Sequence, residues 1–166
     1  MSDEVIGWAL RLAAEVAPDE AELVPPMTAA YVAGGAARRE LFARTDAAPG
    51  GFDVTAPIVL FPHVLAAVTL TAPAIWTALG GNASSVSTLL KNLGDLWDRR
   101  RAKQAPEPQV LELNRLIDAI STELAAAGVP ETDSEVLTFR IVRALIKDGA
   151  GTRAFLAAAP PEDASR

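Results

Sequence analysis

No cysteine occurs among the 166 residues, and histidine occurs once, at position 63. The first absence excludes thiol nucleophiles, disulfides and cysteine-bound metal. The second leaves too few imidazoles for the common zinc arrangements, and no cofactor is expected. Aromatics are scarce, with 3 Trp, 5 Phe and 1 Tyr. A core must therefore be assembled from Leu, Val, Ile and Ala, and little ring surface remains to line an aromatic-ligand site. Positive charge is outweighed, 15 Lys plus Arg against 21 Asp plus Glu for a net −6. That balance argues against nucleic acid, whose phosphates call for a basic surface. The opening MSDEVIGWAL lacks the basic stretch and apolar run of an export signal, so the expected location is the cytoplasm, with peripheral or anchored attachment at the inner membrane as a further option.

What is abundant is alanine, 33 residues, the best helix former because it loses no side-chain entropy. Apolar positions then recur at helical spacing. Val5, Trp8 or Ala9, Leu12 and Val16 mark one face of a first helix that Pro18 stops. A second helix is predicted over 27–44, with Met27, Tyr31, Leu41 and Phe42 inward and a kink or close crossing at Gly34-Gly35. The segment 45–53, TDAAPGGFD, reads as a loop. Val86, Leu89 or Leu90, Leu93, Leu96 and Trp97 predict an amphipathic helix, begun by an N-cap at Ser84 or Ser85 and ended by Arg99, Arg100, Arg101 and Lys103. Val110, Leu113, Ile117, Ile120 and Leu124 follow at 3-4-3-4 spacing, the seam of a helix packing on one partner, either the chain's own core or another molecule. Thr132 with Glu135 has the pattern of a capping box ahead of Val136, Phe139, Val142 and Ile146. A short helix over 153–159 and a polar tail close the chain. These boundaries divide it into an N-terminal helical pair (1–53), an apolar segment with its basic-ended helix (54–105), a C-terminal helical stretch (106–159) and a disordered tail (160–166).

The unusual part is the middle. From Val54 through Leu90 there is no Asp, Glu, Lys or Arg, a run of 37 residues. Within it, 58–79 is long enough to cross a hydrocarbon core of about 30 Å as one helix. Pro62, Pro73 and His63 oppose that, and the flanking amphipathic helices need something apolar to cover. The preferred reading is a buried central helix over 62–79 with Pro62 as its first residue. A membrane span, or a hairpin sheltered at rest and released into lipid, is the alternative. Ile58, Leu60, Leu65, Leu70, Ile75, Trp76 and Trp97 are the candidate apolar contacts with a membrane or partner. Arg99, Arg100, Arg101 and Lys103 are the candidate cationic ones, suited to an anionic membrane surface or an acidic protein.

Little else points to chemistry. The neighbours of His63 supply no nucleophile or orienting acid. Asp95 and Asp98 could form a carboxylate pair, but bridges to Arg99 at i+4 and Arg101 at i+3 explain them more simply. The glycines of KDGAGT and GGNASS lack the Gly-Lys-Ser/Thr ending of a phosphate loop.

The layout runs from an acidic first helix through PDEAEL, the uncharged VTAPIVLFPHVLAAVTLTAPAIW, the basic WDRRR and a closing TRAFLAAAP. It resembles small accessory or effector-associated proteins of actinobacterial conflict (defence) gene clusters. The resemblance implies an adaptor or membrane-directed component without enzymatic activity, and it carries over no functional residue. The expectation is thus an all-α bundle of about five to seven helices around the central apolar one. It would act as a non-enzymatic interaction module on a partner protein, with homo-oligomerisation open. A membrane-perturbing effector inserting 54–97, and a small hydrolase-type enzyme using an acid pair or Ser/Thr hydroxyls, are the alternatives.

Overall fold

Helix α1, Asp3–Val16, buries the face that its periodicity predicts: Val5, Trp8, Ala9, Leu12, Ala13 and Val16. Asp3 and Glu4 sit at the positive end of its dipole, and Pro18 begins a short 3₁₀ turn, Pro18–Glu20, that redirects the chain. The computed structural model describes residues 2–46, 59–80, 86–107 and 110–159. The described residues are all-helical: α2 (Val24–Ala33), α3 (Gly35–Asp46), α4 (Leu60–Leu70), α5 (Ala72–Gly80), α6 (Val86–Arg101), α7 (Leu111–Ala126), α8 (Glu131–Lys147) and α9 (Gly149–Ala158) follow α1.

The all-α class is as expected; the helices are more numerous because two predicted units are each divided in two. Gly34 takes φ 68° and ψ −162°, a backbone conformation that glycine tolerates without steric cost, so the anticipated kink is a full break between α2 and α3. Residues 62–79 are likewise not one helix. The α-helical run stops at Thr71, two residues before Pro73, whose missing N–H and ring would oppose a continuous ladder there. Two threonine hydroxyls finish α4, Thr69 donating to the Leu65 carbonyl at 2.9 Å and Thr71 to that of Ala67 at 2.7 Å. Pro62 is the third helical residue rather than the first; its absent N–H is harmless at either place, because first-turn donors have no intrahelical partner. The last helix starts at Gly149 rather than 153, since Asp148 both ends α8 and caps α9, accepting from the Gly151 N–H at 3.1 Å.

Two local expectations fail. The capping box is not made: α8 begins at Glu131 behind Pro130, with no side-chain cap. Its inward face is Ser134, Thr138, Ile141, Val142, Leu145 and Ile146, leaving Val136 44% exposed. Residues 47–53 of the expected loop, the Ser84 or Ser85 cap and the tail 160–166 lie outside the described residues.

Helix α8 is flanked by α1, α6 and α7, while α7 also meets α4 and α5, and α1 meets α2 and α9. One buried cluster draws on all three stretches of chain, from Val5 through Val64 and Leu93 to Phe155. A row of rings crosses it, Trp8 stacked on Phe155 at 4.4 Å, Phe155 on Tyr31 at 6.1 Å and Tyr31 on Phe42 at 6.5 Å. Few aromatics thus do much of the large-volume filling.

Candidate functional site

The charge-free stretch turns most of its bulk inward. Phe61, Val64, Leu65, Ala67 and Val68 of α4 are fully buried, packed towards α2 and α7, and Ile75 of α5 is 1% exposed. Leu60 is half-buried, and Ile58 lies outside the described residues. Among the described residues of α4 and α5, what remains outward is a short strip at the bend between the two helices. Leu70 is 43% and Trp76 42% exposed, and Pro73 and Thr77 are exposed beside them. Pro73, Trp76 and Thr77 stand at i, i+3 and i+4, which places them on one face of α5.

The sequence therefore groups residues that the fold separates. Leu65 and Ile75, taken as surface contacts, are core. Trp97 is half-buried and packs on Phe139 at 4.5 Å. The seam of α7 is internal too: Val110 is 7% exposed, Leu113 4%, and Ile117, Ile120 and Leu124 fully buried. Helices α4, α5 and α8 of the same chain pack on α7, so this face is not free for another molecule in the folded state.

The basic cluster divides in two. Arg99 pairs with Glu107, and Arg100 reaches over to α7, donating to Asn114 Oδ1 at 2.6 Å and Asp118 Oδ1 at 2.9 Å. These are ties between α6 and its neighbours rather than open cations. The predicted bridge from Asp95 to Arg99 is not formed, because Arg99 turns to the carboxylate beyond the helix end, and that from Asp98 to Arg101 is not formed either. Arg101 and Lys103 stay exposed. Lys103 holds φ +56° in the position where a helix end usually carries glycine: its N–H bonds the Arg100 carbonyl at 3.0 Å, and the Gln104 N–H bonds that of Arg99 at 2.8 Å.

Three hollows among the described residues have the size of a site. One of about 520 Å³ runs along α1 and α8 over Trp8, Leu12, Ala14 and Ala144, with the cross-helix pairs Arg11–Asp148 and Lys147–Glu15 at its rim. Arg11 Nε and the Asp148 carboxylate are 2.9 Å apart, so both charges are already answered. A second, about 460 Å³, is apolar and lined by Leu23, Pro26, Met27, Leu41 and Pro62 among others. The third, about 230 Å³, lies among Asp95, Asp98, Arg99 and Glu107. Among the described residues no group of His, Asp and Glu is placed to hold a metal ion. His63 is half-buried, its ring edge-on to Phe42 at 5.3 Å. Among the described residues, likewise, no helix is long and apolar enough to cross a membrane.

Sequence reasoning missed one polar contact that matters to the middle of the chain. Glu20, at the end of the 3₁₀ turn behind Pro18, sends both carboxylate oxygens to the start of α4, accepting from Leu60 N–H at 2.7 Å and Phe61 N–H at 2.9 Å. A helix start with no capping side chain or acid of its own is the signal that some distant acceptor is needed; which one is not locally encoded. Comparisons with known proteins supply no further guide: no family model, no curated protein and no solved structure matches this chain.

Proposed function

We propose that the protein is a non-enzymatic helical adaptor that meets a partner protein through the outward strip Leu70, Pro73 and Trp76. The observation carrying this reading is the half-exposure of Leu70 and Trp76 on two helices, α4 and α5, whose Phe61, Val64, Leu65, Val68 and Ile75 are buried. Tryptophan is enriched among the residues that dominate interface energies, and a grouped apolar surface without charge is cheap to desolvate. The resemblance of its layout to accessory proteins of conflict gene clusters points the same way, to a component that works by contact.

A second reading, membrane-surface attachment through the same strip, is favoured by the 37 residues without charge. Full insertion of 54–97 is harder, because α4 has 11 residues and α5 has 9. At about 1.5 Å per residue they reach only ~17 and ~14 Å across a core some 30 Å thick, so the two would have to fuse across Thr71 and Pro73.

Copurification from the native host separates these readings. A protein retained by the wild type should be lost from Trp76→Asp and Leu70→Asp but kept by Leu10→Asp, which charges an exposed apolar residue on α1. An unchanged set of retained proteins in all four samples would sink the adaptor reading. Flotation with vesicles containing anionic lipid, abolished by Trp76→Asp, would move the assignment to the membrane surface.

A further inference from the structure

The start of α4 has an unusual support. Val59, its N-cap residue, makes no side-chain cap, and Pro62 within the first turn has no N–H, so Leu60 and Phe61 present the leading orphan donors. Both are taken by one carboxylate 40 and 41 residues earlier, a half-buried Glu20 held in the 3₁₀ turn behind Pro18. These are charge-assisted bonds to a helix N-terminus, where negative charge also meets the helix dipole favourably. The other end of α4 is closed locally by the hydroxyls of Thr69 and Thr71. Eleven residues are too few for a helix to hold itself in water, since isolated helices below about 12–15 residues are marginal.

We propose that Glu20 is a latch on the apolar helix: its carboxylate decides whether the α4 face carrying Phe61, Val64 and Leu65 stays sheltered or is presented. When the two bonds are lost, the first turn has no cap of its own to fall back on, and opening spreads along the short helix as far as the threonine-closed end. Such opening has to break the packing of α4 on α2 and α7, so it is a rare excursion that loss of the two bonds makes more frequent. The neighbouring acids Asp19 and Glu22 are exposed, so the latch sits at the surface end of the contact, where a competing group can reach it. The inference is independent of the strip reading, which concerns outward side chains of the α4–α5 bend and not this inward face.

Hydrogen exchange followed by mass spectrometry on the full chain tests it. Glu20→Ala should accelerate exchange at the amides of residues 64–68 at least tenfold and leave those of 136–147 in α8 unchanged. Glu20→Gln, which keeps one acceptor oxygen, should fall between, and Glu22→Ala should behave as wild type. If Glu20→Ala does not fold, the Glu20→Gln comparison of the same two regions decides. Unchanged exchange at 64–68, or acceleration by the same factor in both regions, overturns the latch and leaves Glu20 as a general contributor to stability.

Discussion

Replacing Gly151 by alanine should destabilise the protein, against the usual sign for a helical glycine. In an unobstructed helix interior, Gly→Ala gains about 1 kcal/mol through backbone entropy. At Gly151 the added Cβ would lie 2.8 Å from both Cβ and Cδ1 of Trp8, and 2.9 Å from a carboxylate oxygen of Asp148. Carbon atoms rest at about 3.5–4.0 Å, so roughly 0.7–1.2 Å must be recovered by movement. Trp8 cannot yield: it is 1% exposed, stacked on Phe155 at 4.4 Å, and its Nε1 donates to Thr152 Oγ1 at 3.1 Å. Helix α9 therefore has to retreat, loosening the stack and that buried hydrogen bond. Overpacking costs about 1–3 kcal/mol and a buried hydrogen bond about 1 kcal/mol, which leaves a net loss of about 1–3 kcal/mol after the helix gain. Gly94 in α6 is the control, since a Cβ there meets nothing within 4 Å. Gly94→Ala should gain about 0.5–1 kcal/mol. Equilibrium urea unfolding measures both, with the midpoint falling for Gly151→Ala, rising for Gly94→Ala, and similar slopes throughout. Midpoints that shift upward together would show that α1 and α9 do not approach as closely as described.

Three other substitutions probe separate parts of the fold. Thr138 is fully buried and its Oγ1 has no hydrogen-bond partner among the described residues, so Thr138→Val should raise stability by about 1 kcal/mol, read as a melting point higher by roughly 2–4 °C; a lower one would reveal a partner for the hydroxyl. Lys103→Gly, at φ +56°, should add about 0.5–1 kcal/mol by placing at the end of α6 the residue that accepts this backbone without strain, and a loss in the same denaturation assay would refute that. Ile117→Ala should cost about 2–5 kcal/mol with no change in oligomeric state by sedimentation, because its side chain is fully buried within its own chain; a changed assembly at unchanged stability would return the α7 seam to an intermolecular role.

Local periodicity carried the fold a long way. The inward face of α1 and the seam of α7 were legible because each is a single helix whose apolar side chains keep one spacing. Pro18 announced its stop for the same reason, as a property of one residue. The division of 62–79 at Thr71 was harder, since Pro73 permits either a kink or a break and tertiary packing chooses. In α8 the polar residues Ser134 and Thr138 face inward, Ser134 donating to the Ser121 carbonyl at 3.1 Å, so a hydrophobic count put Val136 on the wrong side. The basic cluster misled in the opposite direction: four cations in sequence look alike until Asn114, Asp118 and Glu107 are brought to two of them. Glu20 was invisible for the plainest reason, because its acceptor role depends on donors 40 residues away.

The packing of α1 against α9 ties Trp8 to Thr152, 144 residues further on. During synthesis the tryptophan leaves the ribosome long before the residues that enclose it exist, and the first helix must wait with its apolar face uncovered. Chains cut short before α9 would leave the Trp8 side of that face uncovered even where α2 and α8 have formed, so interrupted translation products of this protein should be prone to aggregation and recognisable to the quality-control proteases that clear such fragments.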